Sequence, residues 1–216
     1  MATVAVIDYG MGNIRSVSKA LEHVSGDTRV IVTHEADEVL RADRVVLPGV
    51  GALQDCVSEL KRLGLDEVIR ESIRNKPFLG ICLGMQALLD SSAENGGTEA
   101  LGIIPGEARH FADQLKTIPG TEELKVPHMG WNQVHQAKSH PMWQGIKQDS
   151  RFYFVHSYYV TAKNESVVSA TTPYGFDFTS VIDQENIFAV QFHPEKSQHA
   201  GLALLSNFLS WDGSSK

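Results

Sequence analysis

Short apolar runs alternate with amphipathic stretches through the first half of the chain. Val4 to Asp8 reads as a buried strand ending at Gly10 and Gly12, and Asn13 to His23 as a helix. Arg29–Thr33 and Arg44–Leu47 are two further β-branched runs. Gly51 to Asn75 has helical periodicity with a break near Gly64. Phe78–Ile81 is again a strand, and Leu83–Ser91 is predicted as a helix. Strands alternating with helices predict a mostly parallel open sheet covered on both faces.

The pattern changes after about the midpoint. Glu107–Phe111, Gln133–His135, Phe152–Val155, Ser166–Ala170, Phe178–Ile182 and Phe188–Gln191 are short strand candidates joined by Gly-, Pro- or Asn-bearing turns. They predict antiparallel additions to the same sheet, with Gln198–Trp211 closing as a helix. Ala112–Val126 is the most polar insertion and reads as a surface loop or hairpin, and Trp211–Lys216 as a fraying end. No repeat or linker divides the chain, so the expectation is one α/β domain over residues 1–216.

Composition narrows the function. At 42% apolar and 21% charged residues the chain is an ordered globular protein. A net charge of −7 without a Lys/Arg run argues against a nucleic-acid or anionic-membrane surface. Met1–Gly10 lacks a basic region and Asp8 interrupts its apolar run, unlike a signal peptide. No segment approaches the roughly 20 apolar residues of a membrane span. Two cysteines, Cys56 and Cys82, cannot make a disulfide framework, so a soluble cytoplasmic protein with reduced thiols is expected.

Chemistry concentrates at Phe78-Leu79-Gly80-Ile81-Cys82-Leu83-Gly84-Met85-Gln86. A strand runs straight into a helix, with a cysteine at the turn and glycines two positions to either side. That is a nucleophile elbow with Cys in place of Ser. A sharp turn lifts the sulfur out of the sheet, and small flanking residues let strand and helix pack around it. A helix N-terminus favours the thiolate, the attacking species, and the Leu83 N–H points to where an oxyanion would form. The alternative is an inert buried cysteine, which is the reading for Cys56 in its helical segment.

A second signal is Gln191-Phe192-His193-Pro194-Glu195 at the end of an apolar strand. In an extended chain, side chains two apart share a face, with Cα atoms about 6.6 Å apart, and Pro194 stiffens the pair. His193 would take the thiol proton and later protonate the leaving amine, while Glu195 fixes its tautomer. An isolated surface turn is the alternative; His156 is a rival base, without a carboxylate two residues away.

Two glycine loops follow strands. Leu47-Pro48-Gly49-Val50-Gly51-Ala52 suits a backbone that aims N–H groups at a ligand, so Val50 and Gly51 are candidates for a second oxyanion donor; a plain tight turn is the alternative. Peptide planes between two glycines could also reorient cheaply. Gly10-Met11-Gly12-Asn13 lacks the third glycine of a dinucleotide fingerprint, Arg15 standing there, and reads as a structural turn or a partner-facing loop. No Cys/His set has metal-ligand spacing. Neither metal nor cofactor is expected.

These motifs, with Val6-Ile7-Asp8-Tyr9, Val126-Pro127-His128-Met129-Gly130-Trp131-Asn132 and Tyr153-Phe154-Val155-His156-Ser157-Tyr158, span nearly the whole chain. In them the chain resembles the class I glutamine amidotransferases, whose domain is flavodoxin-like, and within these the glutaminase subunits of imidazole glycerol phosphate synthases. The resemblance implies hydrolysis of glutamine to glutamate and ammonia through a thioester on Cys82. It implies a heterodimer with a (β/α)₈-barrel cyclase that uses the ammonia to make imidazole glycerol phosphate and aminoimidazole carboxamide ribotide in histidine biosynthesis. Gln86 would hold the substrate with the backbone of Gly51 and Ser157, and Asn13, Met129 and Trp131 would face the partner. The competing readings are a glutaminase for pyridoxal-phosphate or anthranilate synthesis, or a catalytically dead binding relative.

Overall fold

The strands that lead to Gly49, Cys82 and His193 lie side by side in one large sheet. In the computed structural model, which describes residues 1–214, the first half runs β1 (Thr3–Ile7), α1 (Ile14–Val24), β2 (Arg29–Thr33), α2 (Ala36–Arg41), β3 (Arg44–Gly49), α3 (Leu53–Arg62), α4 (Leu65–Ile73), β4 (Phe78–Cys82) and α5 (Leu83–Ala87). The second half is β5 (Leu89–Ser92), β6 (Thr98–Glu99), β7 (Ile104–His110), α6 (Phe111–Leu115), β8 (His128–Gln133), β9 (His135–Gln136), β10 (Arg151–His156), β11 (Tyr158–Ala162), β12 (Val168–Pro173), β13 (Asp177–Gln184), β14 (Ile187–Val190) and α7 (Gln198–Ser210).

The sheet order is β2-β1-β3-β4-β14-β13-β11-β7-β5-β6, with β12 and β9 branching from β13. Its first five strands are parallel, the pairings from β14 through β13 and β11 to β7 are antiparallel, and β5 runs parallel to β7. Strand periodicity sorts the core into two layers. Val4 and Val6 pack toward Val17 and Leu21 of α1 and Leu204 and Phe208 of α7. Ala5 and Ile7 face the opposite layer, with Leu53, Cys56, Val57 and Leu60 of α3. Those four α3 residues fall at helical spacing, and Gly64, at φ 67°, breaks α3 from α4.

Several expected elements differ. The helix after Cys82 stops at Ala87, and Leu89–Ser92 is instead a strand pairing with β6 and β7. Its apolar run fits a buried strand as well as a buried helix, and periodicity alone does not separate them. Not all later strands join the main sheet: β8 and β10 form a separate antiparallel ribbon, and β8 lies earlier than the expected Gln133–His135. Tyr158–Ala162 adds β11, which the sequence pattern did not separate. The Ala112–Val126 insertion begins with the rest of α6 rather than a loop or hairpin, because Phe111 and Leu115 bury one face. Trp211 does not fray: it is buried, and its carbonyl accepts from Arg44. Ser215 and Lys216 lie outside the described residues. No described helix is long and apolar enough to cross a membrane.

Candidate active site

Cys82 closes β4 and opens α5 with φ 53° and ψ −108°, a strained conformation for a residue with a Cβ. The flanking glycines make room for it. A Cβ on Gly84 would overlap the carbonyl oxygen of Leu47 in β3, and one on Gly80 would lie 3.1 Å from the Gly84 carbonyl oxygen. Strand pairing sets Gly49 opposite Cys82, so the glycine loop begins beside the sulfur. A Cβ on Gly49 would meet the Tyr9 hydroxyl at 2.7 Å and Leu83 Cβ at 2.8 Å. The Tyr9 hydroxyl donates to the Pro48 carbonyl at 3.1 Å and supports the loop from below. Gly51 has φ 98°, open to glycine and unfavourable for any other residue.

On the other side of β4, the pairing of Val190 with Ile81 carries the chain past the sulfur to His193. Its Nδ1 lies 2.8 Å from Glu195 Oε1, and both side chains are buried. The two meet because Pro194–Lys196 turns as a 3₁₀ helix; the expected extended strand stops at Val190. The same carboxylate oxygen accepts from Asn13 Nδ2 at 3.1 Å. His193 Nε2 is buried with no ordinary hydrogen-bond partner and faces Cys82 closely enough to couple to it. Burial pushes the imidazole down, but Cys82 and Glu195 together lift it to about 10.

His156 is excluded as the base by its own hydrogen bonds. Its Nδ1 is 2.8 Å from the Tyr158 carbonyl, which can only accept, so its Nε2 accepts from His128 Nδ1 at 2.9 Å. Asn132 Nδ2 completes the row at 3.2 Å from His128 Nε2. Burial holds both rings neutral, His156 down to about 3 and His128 to about 4. Cys56 is fully buried, its thiol pushed up to about 11 by burial.

A cavity of about 310 Å³ opens over the sulfur, lined by Val50, Gly51, Leu83, Gln86, Ser157 and Glu94 among others. Gln86 donates through Nε2 to the Tyr158 carbonyl at 3.2 Å and to Gln191 Oε1 at 3.0 Å. The helix behind Cys82 runs only from Leu83 to Ala87, so its dipole is slight. Met129 and Trp131 are 61% and 39% exposed on the β8–β10 ribbon, away from the cavity lining. Asn13 is half-buried against Glu195 rather than wholly outward. Gln191, Glu94 and Tyr9 were not singled out by sequence, though Gln191 stands inside the His-Pro-Glu motif. Among the described residues no group of three or more His, Cys, Asp or Glu is placed to hold a metal ion.

A cysteine elbow at the carboxyl end of a parallel sheet, answered by a His-Glu pair from the adjacent strand, defines a class I glutamine amidotransferase. Residues 5–211 match that family, described as Glutamine amidotransferase class-I, and the chain belongs to it. Within the class it belongs with the HisH chains. It is 56% identical to the imidazole glycerol phosphate synthase subunit HisH of Nitrosococcus oceani, over 99% of both chains. The subunit HisH 1 of Pseudomonas aeruginosa is likewise 56% identical over 99% of both. Among solved structures, PurLQS from Thermotoga maritima superposes with a TM-score of 0.73 over 97% of this chain and 98% of that one, at 17% identity. A structure described as glutamine amidotransferase gives 0.71 at 15% identity, over 96% and 99%. Both bear on the fold alone.

Proposed function

We propose that the chain is the glutaminase subunit of an imidazole glycerol phosphate synthase, with Cys82 as nucleophile, His193 as acid and base, and Glu195 as its orienter. One observation carries the assignment of roles. His193 is anchored through Nδ1 to Glu195 at 2.8 Å, while its Nε2 is left to the strained Cys82 beneath the cavity.

The chemistry follows from that arrangement. The Cys82 thiolate attacks the side-chain amide carbon of glutamine, and the carbonyl oxygen becomes an oxyanion. Amides of Leu83 and of the Val50–Gly51 loop stabilise it. One such donor is worth about 3–4 kcal/mol, or roughly 10²- to 10³-fold in rate. His193 Nε2 gives its proton to the departing nitrogen, ammonia leaves, and a thioester remains. Water then attacks the thioester with His193 taking its proton, and glutamate departs as the thiolate reforms. In the cavity Gln86 offers its free carbonyl oxygen, the Gly51 and Ser157 backbone offers polar groups, and the Glu94 carboxylate suits the α-ammonium group of glutamine.

Ammonia passes to a cyclase subunit with a (β/α)₈ barrel, docked on the side that presents Asn13, Met129 and Trp131. The test is Cys82→Ala in the reconstituted synthase. Glutamine-dependent cyclisation should vanish, while cyclisation driven by free ammonium should continue near the wild-type rate. Glutamine turnover by the Cys82→Ala protein would overturn the nucleophile assignment. Failure with ammonium would overturn the division of labour between the subunits.

A further inference from the structure

Gln191 stands in the motif that delivers His193, yet the reaction above gives it nothing to do. It is fully buried, one residue past the end of β14, with its backbone N–H fixed to the Ser180 carbonyl at 2.9 Å. Its side-chain Nε2 lies 3.7 Å from Cys82 Sγ, within reach of an N–H to sulfur hydrogen bond, and its Oε1 accepts from Gln86 Nε2.

The direction of these bonds is forced. The Tyr158 carbonyl can only accept, so Gln86 must turn its NH₂ toward it. The same NH₂ donates to Gln191, which must answer with oxygen. That leaves the Gln191 NH₂, and no other part of the amide, against the sulfur. A carbonyl chosen by the backbone thus sets the polarity of an amide two side chains away. A fully buried primary amide held in one orientation beside a thiol is a donor built for the anion.

We propose that Gln191 is a further catalytic residue of this site, a donor that holds the Cys82 thiolate opposite His193 and ties it to the substrate-holding Gln86. The role rests on Cys82 being the nucleophile. His193 must release its proton to the leaving nitrogen, and at that moment the sulfur is bonded to carbon and needs no donor. When the thioester breaks and the thiolate reforms, the imidazole has just received a proton from water, and Gln191 supplies a second, fixed N–H. It does so without a proton of its own to exchange. The other ionisable groups around the sulfur are His193 and the neutral Tyr9 phenol, with Glu94, Tyr158 and His156 lining the cavity; burial raises the Tyr158 phenol and keeps His156 neutral.

Iodoacetamide alkylation of Cys82 across pH, followed on the Cys82 peptide by mass spectrometry, reads the thiolate directly. The buried Cys56 serves as the internal reference for folding. Gln191→Met keeps the length and removes the donor; it should slow alkylation at neutral pH about tenfold and move the profile to higher pH, since hydrogen bonds to ions are the strong ones. Gln86→Met keeps the Gln191 amide beside the sulfur but frees it to turn, so it should move the profile in the same direction and only part of the way. Gln191→Glu, which replaces the donor by an acceptor, should move it further than Gln191→Met and covers the case in which that variant does not fold. Profiles of folded Gln191 variants that overlay the wild type would overturn the proposal, as would a larger shift in Gln86→Met than in Gln191→Met. Wild-type protein that keeps its glutaminase activity after full alkylation of Cys82 would instead overturn the nucleophile reading itself.

Discussion

Two buried histidines at the site show how environment, and not residue type, assigns a role. His193 lies between Cys82 and Glu195, which together lift it to about 10, whereas His156 has a carbonyl and a neutral imidazole and is pushed by burial to about 3. The consequence for stability differs in sign. His193 binds its proton more tightly folded than unfolded, so it stabilises the fold below about pH 6.5, and that contribution fades as pH rises toward 10. His156 is the reverse: the unfolded chain gains a proton below about 6.5 that the folded chain refuses. Its penalty at pH 5 is about 2 kcal/mol, from roughly 1.36 kcal/mol for each pH unit below 6.5. Denaturant titrations at pH 7 and pH 5 should therefore show a stability loss on acidification that His156→Gln reduces by about that amount. An equal loss in the two proteins would mean that His156 carries a proton in the fold. Sequence alone ranks His193 above His156 without showing what disables His156. The Glu two residues on favoured His193, but what removes His156 is a carbonyl of Tyr158 and a ring from β8, both set by tertiary packing.

At the scale of elements, helix starts are diverted to hold the site. Asn13 and Ser197 occupy the N-cap positions of α1 and α7, where such side chains ordinarily bond their own helix, and neither does so. Asn13 donates to Glu195 instead, and Ser197 donates to the His193 carbonyl at 2.6 Å while accepting from the Tyr153 amide at 2.9 Å. Local preference for a cap residue is visible in sequence; its diversion is not, because the acceptor for Asn13 lies 182 residues away and the donor to Ser197 44 away across the fold. The glycines were more legible. Gly80 and Gly84 were read as clearance for strand and helix, and the approach of Leu47 to Gly84 makes that reading physical. Helix length after Cys82 was not legible, since Leu88 and Leu89 suit either a buried helix or a buried strand. Gly84→Ala should cost about 3 kcal/mol in urea unfolding, at the upper end for overpacking, because the obstacle is a strand carbonyl that cannot rotate away. A loss below about 1 kcal/mol would show that β3 and α5 can separate freely.

At the scale of the whole molecule, the β8–β10 ribbon stands apart from the main sheet and joins two surfaces. Its inner side meets the site: the Tyr153 carbonyl accepts from the His193 amide at 2.9 Å, and His128 and His156 pair across the two strands. Its outer side bares Met129 and Trp131, which alternate along β8 with the buried His128 and the half-buried Gly130. The Trp131 ring stands edge-on 6.1 Å from the Tyr153 ring, over which Lys196 lies at 5.9 Å, so the exposed indole has one aromatic neighbour before anything docks. A large aromatic side chain left half uncovered is the kind of anchor that dominates association, because it buries much area for the few rotatable bonds it must fix. Trp131→Ala should weaken binding to the cyclase by about 2 kcal/mol, roughly 30-fold, with Met129→Ala the smaller effect. The isolated chain's alkylation at Cys82 should be unchanged, since neither side chain lines the cavity. Titration calorimetry of each variant against the cyclase, beside alkylation of the free subunit, separates the two readouts. Unaltered affinity in Trp131→Ala would move the docking face off this ribbon, and altered alkylation would mean that the outer surface already sets the geometry at the sulfur.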